Sequence, residues 1–194
     1  LLYPTMAVAL WGLIMTGLTC MRQTDLKSMI AYSSVGHMGL VISATLVQSP
    51  WSITGTMILM VAHGLTSSMM FCLANMLYER TQTRTIMAMR GLQKTMPLMT
   101  TLWLLANLTN LAMPPTINLM GEIIILSATY NWAPPTIFLS ATGAVITATY
   151  SLYMLSSTQQ GKAPKDMTLY PTHTRELLLL LMHLIPMALL TLSP

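Results

Sequence analysis

Charge is the scarcest property of this sequence. Lysine and arginine number nine and aspartate and glutamate five among 194 residues, so 7% of the chain is charged against 54% that is hydrophobic. Together with a mean hydropathy of +0.62, this excludes a soluble domain, which carries charge on about a quarter of its positions. Cysteine is nearly missing as well. Cys20 and Cys72 both sit in apolar stretches with no metal-ligand spacing between them, which excludes a disulfide framework, a zinc site or a cysteine-held cluster. No Gly-rich dinucleotide fingerprint occurs, and no low-complexity segment or second domain interrupts the chain. The first twenty residues lack the basic leader and small-residue cleavage site of a signal peptide. The chain also opens on Leu1, so it reads as a fragment of something longer. The nine basic residues are spread over three loops, where they act as orientation signals rather than a nucleic-acid patch, and no nucleic-acid partner is expected.

What remains is a series of apolar runs. Residues 4–21, 26–47, about 51–78, 137–157 and 177–192 each read as a membrane span. Twenty methionines supply adaptable packing and lipid-facing bulk. The stretch 97–131 differs, because Pro114 and Pro115 interrupt it and Glu122 follows. Neither proline can donate a backbone hydrogen bond, and each restricts the residue before it, so a helix is expected to stop near Met113. A second helix is expected to start with Asn118 as its cap. The two pieces are roughly 24 and 20 Å long as helix, each short of the ~30 Å hydrocarbon core. Joined through a break they make one span, with Glu122 near mid-depth.

The loops test that count. If 97–131 crosses once, the charged loops at 22–27, 79–94 and 158–176 fall on one side. The uncharged turns at 48–50 and 131–135 then fall on the other. The fold class expected is therefore all-α, a polytopic transmembrane helix bundle of about six spans with one discontinuous helix at 97–131, its basic loops facing the negative compartment.

Three ionisable residues lie deep in these spans: His37, His63 and Glu122. At ~1.5 Å per residue His37 lies about 15 Å from either end of its span, and the other two fall at similar depth. Each heads a polar stripe at helical spacing, Ser33 below His37, Thr66 and Ser67 above His63, Asn118 below Glu122. Lipid-facing helices would not carry such stripes, so they are expected to face one another. Histidine accepts and releases protons near neutral pH, and an ionisable group beside broken helix in a bilayer marks a working site. The three are the candidate catalytic residues, as a proton relay. Two other readings remain open. The polar residues could merely bond neighbouring helices in a structural subunit, or His37 and His63 could ligate a haem. Lys27, at a helix end, reads as a snorkelling lysine outside the relay.

Gln23-Thr24-Asp25-Leu26-Lys27-Ser28-Met29-Ile30-Ala31-Tyr32-Ser33-Ser34, followed by His37-Met38, resembles a stretch of the proton-pumping, antiporter-like subunits of respiratory complex I. Ala62-His63-Gly64-Leu65-Thr66-Ser67-Ser68, Tyr78-Glu79-Arg80 and Pro114-Pro115-Thr116-Ile117-Asn118-Leu119-Met120-Gly121-Glu122 continue the likeness in order. It covers the whole chain, which matches less than half of such a subunit. Gly36 departs from the family's frequent serine before the histidine. The resemblance implies a fold of paired inverted five-helix repeats. Residues 1–157 would be the second repeat, and 158–194 a charged loop and closing helix.

It further implies that His37 and His63 belong to a central hydrophilic axis, with Glu122 as the acid on the broken helix near the exit to the positive side. The family complex is an NADH:ubiquinone reductase that pumps protons. Its NADH, FMN, iron-sulfur clusters and ubiquinone are handled by other subunits, so no cofactor is expected on this chain. The implied partners are the other membrane-arm subunits and the lipid bilayer. The implied location is the mitochondrial inner membrane, with the basic loops on the matrix side. Mrp-type cation/proton antiporters share much of the same pattern and stand as the alternative.

Overall fold

A computed structural model describes residues 2–161 and 172–192, and each of its long helices follows an apolar run. The elements are α1 (Leu2–Met21), α2 (Leu26–Val47), α3 (Pro50–Thr81), a 3-10 turn (Ile86–Met89), α4 (Leu92–Thr95), α5 (Pro97–Asn110), α6 (Ile117–Trp132), α7 (Thr136–Gln159) and α8 (Thr174–Leu192). No strand forms among the described residues; one isolated bridge pairs Asp25 with Thr85. The fold is all-α. Five helices, α1, α2, α3, α7 and α8, are long and apolar enough to cross a membrane, and α5 with α6 forms the sixth, broken span. Large apolar side chains such as Val8, Trp11, Phe138, Leu178 and Met182 point outward, as lipid-facing positions should. Helix α3 spans 32 residues, about 48 Å at 1.5 Å per residue, so it tilts or projects beyond the hydrocarbon. It starts with Pro50 after a reciprocal Ser49–Ser52 capping box, a combination favoured at helix N-termini.

The break differs in detail from expectation. The first half ends at Asn110 rather than Met113, because its last turn closes as a Schellman motif. The Met113 amide bonds the Leu108 carbonyl at 3.1 Å and the Ala112 amide bonds the Thr109 carbonyl at 3.2 Å. Ala112 takes the left-handed conformation, with φ 53°. Alanine is an unusual residue there, since its Cβ crowds the backbone, and the pattern alone did not mark it. The Pro114–Pro115 peptide bond that follows is cis. Asn118 is not the cap of the second half. Thr116 holds that position without a side-chain bond, while Asn118 sits one residue into α6. Its amide reaches back to the Thr109 carbonyl at 2.7 Å, satisfying one of the carbonyls a helix end leaves free.

The ends of the helices group as the charge pattern predicts. The Asp25–Thr85 bridge joins the first two charged loops through Leu26 N to Arg84 O and Ile86 N to Thr24 O. At the C-terminus of α7, Gly161 lies against Arg90, and at the N-terminus of α8 Glu176 meets Arg80. The basic loop regions therefore share one end of the bundle, although Lys162, Lys165 and Asp166 lie outside the described residues. At the other end Tyr3 packs on Trp132 with ring centroids 4.7 Å apart. Glycine sets the helix spacing where it matters most for the site. A Cβ on Gly121 of α6 would lie 3.1 Å from the Leu59 amide nitrogen and 3.2 Å from its Cα, so α6 seats backbone to backbone on α3.

Candidate functional site

The close seating of α6 on α3 puts Glu122 one residue beyond the contact with Leu59, while His63 stands one turn further along α3. Helix α2 packs on both α3 and α6 and brings His37 between them. The result is a cluster drawn from three helices. The His37 and His63 ring centroids lie 5.2 Å apart, tilted 45°. The Nδ1 of His37 lies 3.6 Å from Oε1 of Glu122, just beyond hydrogen-bond length. His37 is 2% exposed, and neither of its ring nitrogens has a hydrogen-bond partner among the described residues. A buried imidazole with both nitrogens unpartnered calls for an explanation, and a group that must exchange a proton is one of the few that supply it.

The structure places all three sequence-predicted residues together, with His37 in contact with both of the others. Their polar neighbours divide. Ser33 and Thr66 are buried, each returning its hydroxyl to its own helix, Ser33 to the Ile30 carbonyl at 2.7 Å and Thr66 to the His63 carbonyl at 3.1 Å. Ser67 is only half-buried and bonds the Gly64 carbonyl at 3.4 Å. Asn118 is buried, with its side-chain oxygen unpartnered. Lys27 is exposed and lies at the basic end, lining a cavity of about 60 Å³ with Asn75, Tyr78 and Arg84.

Two further residues belong to this region. Tyr150 of α7 is fully buried, in the core cluster that also holds Cys20, Met29 and Ile30. Asn107 of α5 is buried, donates its amide to the Trp103 carbonyl at 2.9 Å, and leaves its side-chain oxygen unpartnered. A tyrosine inside an apolar span, and an asparagine in the half-helix before the prolines, were the signals that could have flagged them.

Cofactor chemistry can be weighed against these residues. Among the described residues no group of three or more His, Cys, Asp or Glu is placed to hold a metal ion, so the donor set does not fit a cluster. A haem held by His37 and His63 requires the macrocycle to lie between two axial imidazoles. Rings in tilted contact, with a carboxylate against one of them, leave no such space. What the arrangement suits is proton exchange between neutral and charged forms of neighbouring groups.

Comparison with known proteins identifies the family and the fold. Residues 1–147 match the family described as NADH:quinone oxidoreductase/Mrp antiporter, transmembrane. The chain is 60% identical over its whole length to NADH-ubiquinone oxidoreductase chain 4 of Danio rerio, covering 42% of that protein. It is 53% identical over 98% of its length to the chain of the same name from Agkistrodon piscivorus piscivorus, covering 83% of that protein. It thus spans about two fifths of the length of most of the curated relatives it matches. Among solved structures, a chain of respiratory complex I from Thermus thermophilus superposes with a TM-score of 0.84 at 25% identity, over 96% of this chain and 39% of that one. A chain of an archaeal membrane-bound sulfane sulfur reductase shares the fold, with a TM-score of 0.93 at 18% identity, over all of this chain and 32% of that one.

Proposed function

The chain belongs to the NADH:quinone oxidoreductase/Mrp antiporter transmembrane family, together with the curated chain 4 proteins, and from that premise we propose that it translocates protons as part of a membrane-arm subunit of an NADH:ubiquinone oxidoreductase. Its setting is a mitochondrial membrane crossed several times. The basic loops face the matrix, where the positive-inside preference puts them. The other membrane-arm subunits are its partners. NADH, FMN, iron-sulfur clusters and ubiquinone do their chemistry elsewhere in the complex, and this chain contributes no redox step of its own.

The observation that carries the reading is the position of His37 between His63 and Glu122, with its ring nitrogens unpartnered. A proton reaching the His63 imidazole passes to His37, whose ring lies in contact with it. From His37 Nδ1 it moves to Glu122 Oε1, so that an imidazolium and a carboxylate become a neutral imidazole and a carboxylic acid. Closing the 3.6 Å separation to hydrogen-bond length needs only a rotamer adjustment of the glutamate. Release from Glu122 then follows the break between α5 and α6, where buried Asn107 and Asn118 present unpartnered oxygens to a hydrated path. The part of the subunit that this chain spans supplies the outward part of such a route.

The test uses the intact complex with Glu122→Gln in the full-length subunit, at matched assembly, and counts protons moved per NADH oxidised. Glutamine keeps the shape but cannot ionise. A marked fall in proton yield is the expected result. An unchanged yield contradicts the relay and leaves the cluster as helix-to-helix architecture.

A further inference from the structure

The relay leaves one intramembrane histidine unused. Nine residues separate His183 from Thr174 and from Leu192, the two ends of α8, or about 14 Å at 1.5 Å per residue, so it sits at mid-depth. It is half-buried, beside the exposed Leu179 and Met182. Its Nδ1 lies 2.8 Å from the Leu179 carbonyl oxygen. A carbonyl only accepts, so Nδ1 carries the hydrogen, and Nε2 of the neutral ring is left as an acceptor. Among the described residues Nε2 has no hydrogen-bond partner. Pro186, three residues on, has no amide hydrogen to give the Met182 carbonyl, which adds a second acceptor at this depth. Lipid tails offer a hydrogen to neither, and ionisable side chains this deep are kept where something pairs with them.

The same side of α8 borders a groove of about 490 Å³ against α3. Leu179, whose carbonyl His183 bonds, lines it together with Phe71, Cys72 and Asn75 of α3, and Glu79 and Arg175 stand where it reaches the basic end of the bundle. Glu79 is exposed, and its carboxylate accepts from the Asn75 amide at 2.9 Å. Among the described residues no cation stands within ion-pair distance of it. The groove thus carries an unpaired negative charge at the interface and, one turn beyond Leu179, an unfilled acceptor at mid-depth.

We propose that the groove between α3 and α8 seats a transmembrane helix of a neighbouring subunit. A hydroxyl or amide side chain of that helix donates to His183 Nε2, and a basic residue at its end pairs with Glu79. Membrane helices keep lysine and arginine at this end, where the Glu79 carboxylate meets them. A donor at mid-depth is what a partner helix supplies and an acyl chain does not. The inference rests on the chain being part of a membrane-arm subunit, and it is independent of the relay, to which neither His183 nor Glu79 belongs.

The experiment uses the intact complex with a photoreactive leucine in place of Leu179 of the full-length subunit, and crosslinked peptides are mapped after illumination. Crosslinks to one membrane helix of a different subunit, bearing a donor side chain at mid-depth, are expected. His183→Leu keeps an apolar surface without the acceptor. It is expected to lower the crosslink yield after detergent challenge about threefold, the effect of one interhelical hydrogen bond. Glu79→Gln should lower it about twofold, as loss of an exposed ion pair does. Protons moved per NADH should stay unchanged in both variants. A full-length subunit that purifies without other subunits overturns this inference and the membrane-arm reading together. If the subunits copurify but the probe labels only lipid or only its own chain, or if the yield is indifferent to both variants, the docked helix alone is overturned and that reading stands.

Discussion

Two carboxylates in this molecule meet a base away from open solvent, Glu176 buried and Glu122 partly so, and they do so in opposite ways. At the basic end, Glu176 of α8 accepts from Arg80 of α3 with 2.5 Å between Nη2 and Oε2, and the His173 amide bonds the same oxygen at 3.2 Å. At mid-span, Glu122 stands 3.6 Å from an imidazole that has no hydrogen-bond partner among the described residues. Arginine stays charged at any physiological pH, so the first pair can fasten α8 to α3 but cannot exchange a proton. Histidine carries its proton loosely. The second pair is short of a bond and can change state. One carboxylate fastens two helices, and the other is the one the proposed relay needs free to change state.

Substitutions can separate those roles. The largest effect on transport is expected from Glu122→Gln, which should lower protons moved per NADH severalfold while assembly, measured on native gels, is kept. Glu176→Gln should do the reverse. Losing a charge-assisted hydrogen bond that is largely buried costs roughly 2 kcal/mol, so thermal inactivation of the complex should come earlier. The proton yield of the surviving complexes should stay unchanged. If Glu176→Gln lowered the yield, the division between fastening and working carboxylates would fail.

A smaller and mixed effect is expected from Gly121→Ala. Its methyl group would meet the Leu59 backbone at 3.1 to 3.2 Å, so α6 must retreat from α3, at a cost of about 1–3 kcal/mol. The displaced Glu122 should then show as a partial fall in pumping. At the far end of the scale, Ala112→Gly relieves the left-handed position at the C-terminus of α5. It should raise thermal stability by roughly 1 kcal/mol, leaving transport as it was.

The legible and illegible parts of this protein divide along physical lines. Span positions followed from long apolar runs, and α2 was expected at 26–47, where it stands. The depth of His37, His63 and Glu122 was arithmetic on helical rise, and their meeting followed from the cost of showing polar stripes to lipid. Helix ends were less readable. Ala112 takes a conformation that composition assigns to glycine, and Asn118 uses its amide on a carbonyl of the preceding helix rather than as a cap. Tyr150 was passed over because its burial comes from packing against α2, which periodicity within α7 does not report. Arg80 and Glu176 are far apart in sequence, so their pairing needed the fold.

The central claim is that His37 and Glu122 act as one unit, and a double-mutant cycle on proton yield tests it most directly. His37→Gln, Glu122→Gln and the double variant are compared in intact complexes at matched assembly. Groups that pass the same proton lose their function together, so the double variant should pump no worse than the poorer single one. Losses that multiply, each substitution taking its own share regardless of the other, would contradict a relay through His37 to Glu122.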